Sequence, residues 1–172
     1  IDKADWEYEL RFQVDEQLAG QKHKQLVFQG LDTWCDITLN GQPLLSTNNM
    51  FRTWKADVSG LLSDKENILH LRFRSPIRQG MKEMEKYGLP LPASNDQSEN
   101  GGMGPNRVSV FSRKAPYHFG WDWGPRLVTS GIWRPIFLEG WDDLNIEQVF
   151  IEQPQVTPVQ ADLKASVRLT TE

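Results

Sequence analysis

Cysteine is almost missing from this chain: Cys35 stands alone among 172 residues, which excludes any internal disulfide. Its setting, TWCDITLNG, reads as a strand, so it is expected to be a small buried hydrophobe rather than a reactive thiol. Long apolar runs are missing too, and no stretch of 18 apolar residues exists to span a membrane. Positive charge is in deficit: 19 Lys and Arg face 23 Asp and Glu, and the net charge of −4 offers no footprint to DNA or RNA. The three histidines, His23, His70 and His118, lie far apart without His-Glu-x-x-His spacing, so no metal site is expected. His23 and His70 read as surface histidines. No Gly-x-Ser-x-Gly elbow, Walker loop or Gly-x-Gly-x-x-Gly turn occurs, and no cofactor is implied. Neither a signal peptide nor an Asn-x-Ser/Thr sequon points to secretion. The chain enters a strand at once (IDKADWEYELRFQV) without an initiating Met, reads as an excised piece, and names no compartment.

What the chain does have is alternation. A domain of this size buries roughly 70% of its unfolded surface and needs no staples. WEYELRFQV puts Trp6, Tyr8, Leu10 and Phe12 on one face and charged or polar residues on the other, the pattern of a half-buried strand. KQLVFQG, TWCDITL, MFRTWKADV and NILHLRFR add further strands, and Asn40-Gly41 predicts a type I′ hairpin turn. VSVFSRK and GIWRPIFLEGW read as later strands. One helix interrupts them: Ser75 suits the N-cap, Pro76 the first turn and Gly88 the C-terminal stop. Ile77, Met81, Met84 and Tyr87 fall near helical spacing as its buried stripe. Residues 89–106 are rich in Pro, Gly, Asn and Ser and read as a functional lid or a disordered loop, composition favouring disorder at least around 99–104. The whole pattern predicts an all-β antiparallel sandwich with one short helix over residues 1–143. WDDLN reads as a linker, and two alternating strands in 144–172 read as the start of a second, truncated β domain.

Tryptophan is in excess, seven against three Tyr, and three aromatic rings crowd into HFGWDWGPR at 118–126. Indole faces suit the C–H patches of a pyranose, and a carboxylate accepts hydrogen bonds from adjacent hydroxyls. Gly120, Gly124 and Pro125 break the strand and let Asp122 project. The competing reading is structural: Asp122 pairs with Arg113 or Arg126 while the indoles fill core. A carboxylate is seldom buried unpaired, which tips the balance toward binding.

RKAPYHFGWDWGPRLVTSGIWRPI closely resembles the segment that marks β-mannosidases of glycoside hydrolase family two. LVFQGLDTWCDITLNG, NMFRTWKADVSGLL and NILHLRFRSP resemble that family's N-terminal galactose-binding-domain-like jelly roll, and residues 144–172 resemble the opening of the following immunoglobulin-like domain. The resemblance implies a retaining exo-glycosidase that releases terminal β-D-mannose with two glutamates. Those belong to a downstream (β/α)-barrel, whose acid/base follows an Asn. No Asn-Glu dipeptide occurs here, so no catalytic residue is expected in this chain and no hydrolysis by it alone. By the same resemblance, Asp122 and Trp121 meet the terminal sugar, and Trp123 joins them or anchors the loop. His118, Phe119, Gly120 and Gly124 support it. The implied partners are a terminal β-mannoside and the barrel, not nucleic acid or membrane. Two alternatives stand beside this: a stand-alone carbohydrate-binding module, and a structural spacer of another family-two glycosidase.

Overall fold

The computed structural model describes residues 1–171. Its strands are β1 (Trp6–Phe12), β2 (His23–Phe28), β3 (Leu31–Asp32), β4 (Trp34–Leu39), β5 (Gln42–Asn48), β6 (Trp54–Asp57), β7 (Asn67–Phe73), β8 (Gly131–Ile132), β9 (Ile136–Trp141), β10 (Leu144–Val156) and β11 (Ala161–Thr171). A four-stranded antiparallel sheet, β1-β7-β4-β5, packs on a three-stranded one, β6-β2-β9, with the short β3-β8 ladder beside them. Apolar residues at alternate positions of β4 (Cys35, Ile37, Leu39) and β7 (Leu69, Leu71, Phe73) meet Leu26 and Phe28 of β2 in the core. The fold is the all-β sandwich expected. Cys35 lies inside it, and burial pushes its thiol up to about 12, so it is inert as a nucleophile.

Local chemistry sets the turns. Asn40 (φ 52°) and Gly41 (φ 80°) make the β4–β5 hairpin, and Asn40 also binds Leu61 O and Asn67 Oδ1 through its side chain. Helix α2 (Pro76–Tyr87) starts where Ser75 Oγ accepts from the Arg78 N–H and stops at Gly88 (φ 83°). A second helix, α1 (Glu16–Ala19), is a single turn capped by Asp15 and was not expected from the pattern. Ile77 of α2, Val108, Phe119 and Val128 form a separate small core, with Met81 and Met103 packed on it. Tyr87 departs from the expected stripe: it is exposed and leans on Phe111 instead.

Three expectations need correction. The inward positions of β1 do lie opposite Phe73, Leu71 and Leu69. Yet Trp6 and Tyr8 stay 42% exposed and Leu10 57%: β1 is an edge strand, and of its residues Phe12 packs against the main core. VSVFSRK is not a strand: Asp96 Oδ2 accepts from the Val108 and Ser109 N–H groups and turns the chain into a 3₁₀ turn, Ser109–Phe111. Residues 99–104 are not disordered either. They form a 3₁₀ turn, Ser98–Gly101, and the buried Ser98 hydroxyl donates to Gly104 O at 2.6 Å.

Only Asp142 and Asp143 separate β9 from β10. The β10–β11 hairpin presents Ile146, Val149, Ile151, Val167 and Leu169 on one face, all of them exposed. Its other face carries Gln148, Glu152, Lys164 and Arg168, with the exposed Phe150 among them.

Candidate functional site

Residues 116–129 leave the sandwich as a braced loop. A 3₁₀ turn, Pro116–Phe119, drops the fully buried Phe119 ring into the small core beside α2. Gly120 follows at φ 118°, a conformation that side chains rarely adopt, and a Cβ there would lie 2.6 Å from Gln97 Cγ. Gln97 grips the same point: its backbone N–H donates to Phe119 O and its side-chain amide to Trp121 O at 2.8 Å. Leu127 N–H donates to His118 O at 3.0 Å and closes the base of the loop. Trp121 and Gly124 then exchange N–H···O bonds at 3.3 Å in both directions, leaving Asp122 and Trp123 as a two-residue tip.

The tip is offered to solvent. Trp123 is 85% exposed, and its ring meets Trp121 edge-on at 5.9 Å. Asp122 is exposed and makes no hydrogen bond or ion pair among the described residues. The structural reading of this carboxylate loses Arg126, whose guanidinium is instead held by Asp2 at 2.7 Å with its side chain 6% exposed. Beside the tip lies a cavity of about 590 Å³, within the range of small-molecule sites. Tyr117, His118, Trp121, Trp123, Leu127 and Thr129 line it, with Gly124 and Pro125 at its rim. Asp122 is not among the lining residues; the reciprocal Trp121–Gly124 pair turns it onto the apex.

Beneath the cavity sits a buried charge cluster. The Lys114 ammonium donates to Asp32 Oδ2, and the Thr33 hydroxyl donates to Asp32 Oδ1. His118 Nδ1 lies 3.7 Å from Asp32 Oδ2 and 3.4 Å from Thr129 Oγ1. Burial, aided by the Lys114 charge and opposed by Asp32, lowers the His118 pKa and favours the neutral ring. Burial likewise lowers the Lys114 pKa, against the pull of the same carboxylate.

Of the residues singled out in the sequence, Trp121, Trp123, His118 and Gly124 come together at the cavity. Phe119 and Gly120 fix the loop from behind, and Asp122 stands clear of it. Gln97, Asp32, Lys114 and Thr129 escaped notice. Gln97 lies in the irregular 89–106 segment, and Lys114 in the stretch VSVFSRK that reads as a strand. No group of His, Cys, Asp and Glu with metal-holding geometry occurs among the described residues. A second cavity of about 480 Å³, lined by His23, Asp57, Trp141, Glu147 and Arg168, lies between the sandwich and the hairpin.

Residues 1–134 match the family described as glycosyl hydrolase 2 galactose-binding domain-like. Beta-mannosidase B of Thermothelomyces thermophilus is 34% identical over 171 residues, covering 99% of this chain and 18% of that protein. Beta-mannosidase B of Neosartorya fischeri is 39% identical over 140 residues, covering 81% of this chain and 16% of that protein. Among solved structures, a beta-D-mannosidase from Dictyoglomus thermophilum superposes with a TM-score of 0.86 at 34% identity, covering 99% of this chain and 20% of that one. The chain thus spans a fifth or less of the length of these similar proteins.

Proposed function

The chain belongs to the galactose-binding domain-like family of glycosyl hydrolase 2, and on that premise we propose that it is the sugar-binding domain of a retaining exo-β-mannosidase. Its task is to lend the 118–126 loop to an active site whose catalytic glutamates stand on a following (β/α)-barrel. The observation that carries this reading is the loop tip. An unpaired carboxylate and an 85% exposed indole whose ring contact is Trp121 add little to their own domain, yet the turn that presents them is braced by Gln97, Phe119 and a strained Gly120. Rigid presentation of unused groups fits contact with something opposite.

On this reading Asp122 accepts hydrogen bonds from hydroxyls of the terminal β-D-mannoside, and Trp121 and Trp123 lie against its C–H faces. Retaining hydrolysis needs two carboxyl groups about 5–5.5 Å apart across the scissile bond. Asp122 at the tip is a single carboxylate and no Asp or Glu lines the cavity beside it, so this chain positions substrate and the barrel cleaves it. The apolar face of β10–β11 supports a second proposal: residues 144–172 open an immunoglobulin-like sandwich whose remaining strands cover that face.

Asp122→Ala tests the main reading. Melting of this chain is expected to be unchanged, because the carboxylate has no partner to lose. In the full-length enzyme kcat/KM toward an aryl β-mannoside is expected to fall about a hundredfold, the cost of one charged hydrogen bond. Turnover within a few-fold of wild type would assign Asp122 to structure. The aromatic wall of Trp121, Trp123 and Tyr117 supports a stand-alone carbohydrate-binding module as the second reading. Calorimetry separates the two: half a site binds free mannose only weakly, whereas a micromolar dissociation constant would establish the self-contained module.

A further inference from the structure

We infer that His118 is not only a brace but a sugar-contacting residue: its Nε2 accepts a hydrogen bond from a substrate hydroxyl at the cavity wall, held in that role by the buried Lys114–Asp32 pair. The inference rests on reading the cavity as a sugar subsite and names the acceptor that would orient the ring there.

The argument starts at Nδ1, which faces two oxygens, Asp32 Oδ2 at 3.7 Å and Thr129 Oγ1 at 3.4 Å. The carboxylate can only accept. Thr129 is exposed, so its hydroxyl proton can go to water while its oxygen accepts. A lone pair on Nδ1 would be turned toward an anion, so the proton belongs on Nδ1 and the lone pair on Nε2. A second proton is opposed by burial and by the Lys114 ammonium on the same carboxylate. Asp32 and Lys114 are the charged groups that act on the ring, and Tyr117 packs against it edge-on at 4.8 Å. Nε2 itself makes no hydrogen bond among the described residues and is not among their buried unpartnered atoms. The ring is 17% exposed and lines the cavity, so Nε2 is open toward it. Trp121, Trp123, Pro125 and Leu127 make most of the rest of that wall apolar, and its other side-chain polar groups are the Tyr117 and Thr129 hydroxyls, so a ring nitrogen fixed as an acceptor weighs heavily in orientation.

Three measurements on this chain test the inference. Nitrogen NMR of the labelled imidazole is expected to show a protonated Nδ1 and an unprotonated Nε2; the opposite tautomer would overturn the assignment. Titration with methyl β-D-mannoside is then expected to shift Nε2 together with the Trp121 and Trp123 indole signals. If the indoles move and Nε2 does not, the subsite stands and His118 is only a brace. If none of them moves, the sugar reading of the cavity fails and the inference with it. Binding by His118→Phe is expected to weaken about tenfold, the loss of one hydrogen bond, while His118→Gln keeps an acceptor and stays within about threefold. Equal losses in the two variants would overturn the acceptor role.

Discussion

Lys114 is a lysine whose side chain is fully buried, and the Asp32 carboxylate beside it is nearly so. Lys114→Met therefore strands a buried anion, and urea unfolding is expected to show a loss of about 3–5 kcal/mol. Adding Asp32→Asn to that variant removes the stranded charge, so the double variant is expected to recover part of the loss. His118 makes a pH prediction of definite sign. Its folded pKa lies below the ordinary 6.5, so the folded state resists the proton more than the unfolded chain does. Stability is expected to be fully present above 6.5 and to decline as pH falls through that value toward the folded one. Thermal melts in that window check it, and His118→Phe should flatten the decline. Asp57, held below the ordinary 3.8 by hydrogen bonds from Ser59, adds its own loss only as pH falls beneath that value. At this scale the sequence was partly legible. The odd carboxylate between two indoles singled out Asp122, which the fold leaves exposed and unpaired, but nothing announced Lys114, because its partner lies 82 positions away and only the folded sandwich joins them.

Elements were legible where their causes are local. Asn40-Gly41, Ser75 and Gly88 act within a few residues, and each turn or cap formed as the pattern predicted. Residues 108–114 alternate like a strand, yet Asp96, twelve positions earlier, caps two of their N–H groups and bends them into a 3₁₀ turn. That non-local bond is also what packs the 96–106 segment under the loop, against the disorder its composition suggests. Helix α2 is held to this layer through Gly80, where a Cβ would come within 2.7 Å of Val108 Cβ. Ala in a helix normally gains about 1 kcal/mol over Gly. Here overpacking costs about 1–3 kcal/mol, so Gly80→Ala is expected to lower the melting temperature rather than raise it. The small core that holds Phe119 borders this contact, so the same variant is expected to loosen the Trp121 and Trp123 signals in NMR.

Across the whole molecule, apolar surface is unevenly satisfied. The sandwich core is closed, whereas the inward face of β1 and one face of the β10–β11 hairpin remain open to solvent. If the boundary lies near 143, removing residues 144–172 takes away a ribbon with little share in the main core. The shortened chain is expected to melt cooperatively at an unchanged temperature and to self-associate less in sedimentation. A large fall in melting temperature would place the hairpin in the same folding unit. The tip of the 118–126 loop points the other way, toward inheritance. Among the described residues Asp122 has no partner and the ring contact of Trp123 is Trp121, edge-on, so mutation there meets little penalty from folding. Selection can try new residues at those two positions while the frame stays fixed. On the proposed sugar-contacting role of Asp122 and Trp123, a lineage that changes its sugar preference is expected to show it first there, in two adjacent codons.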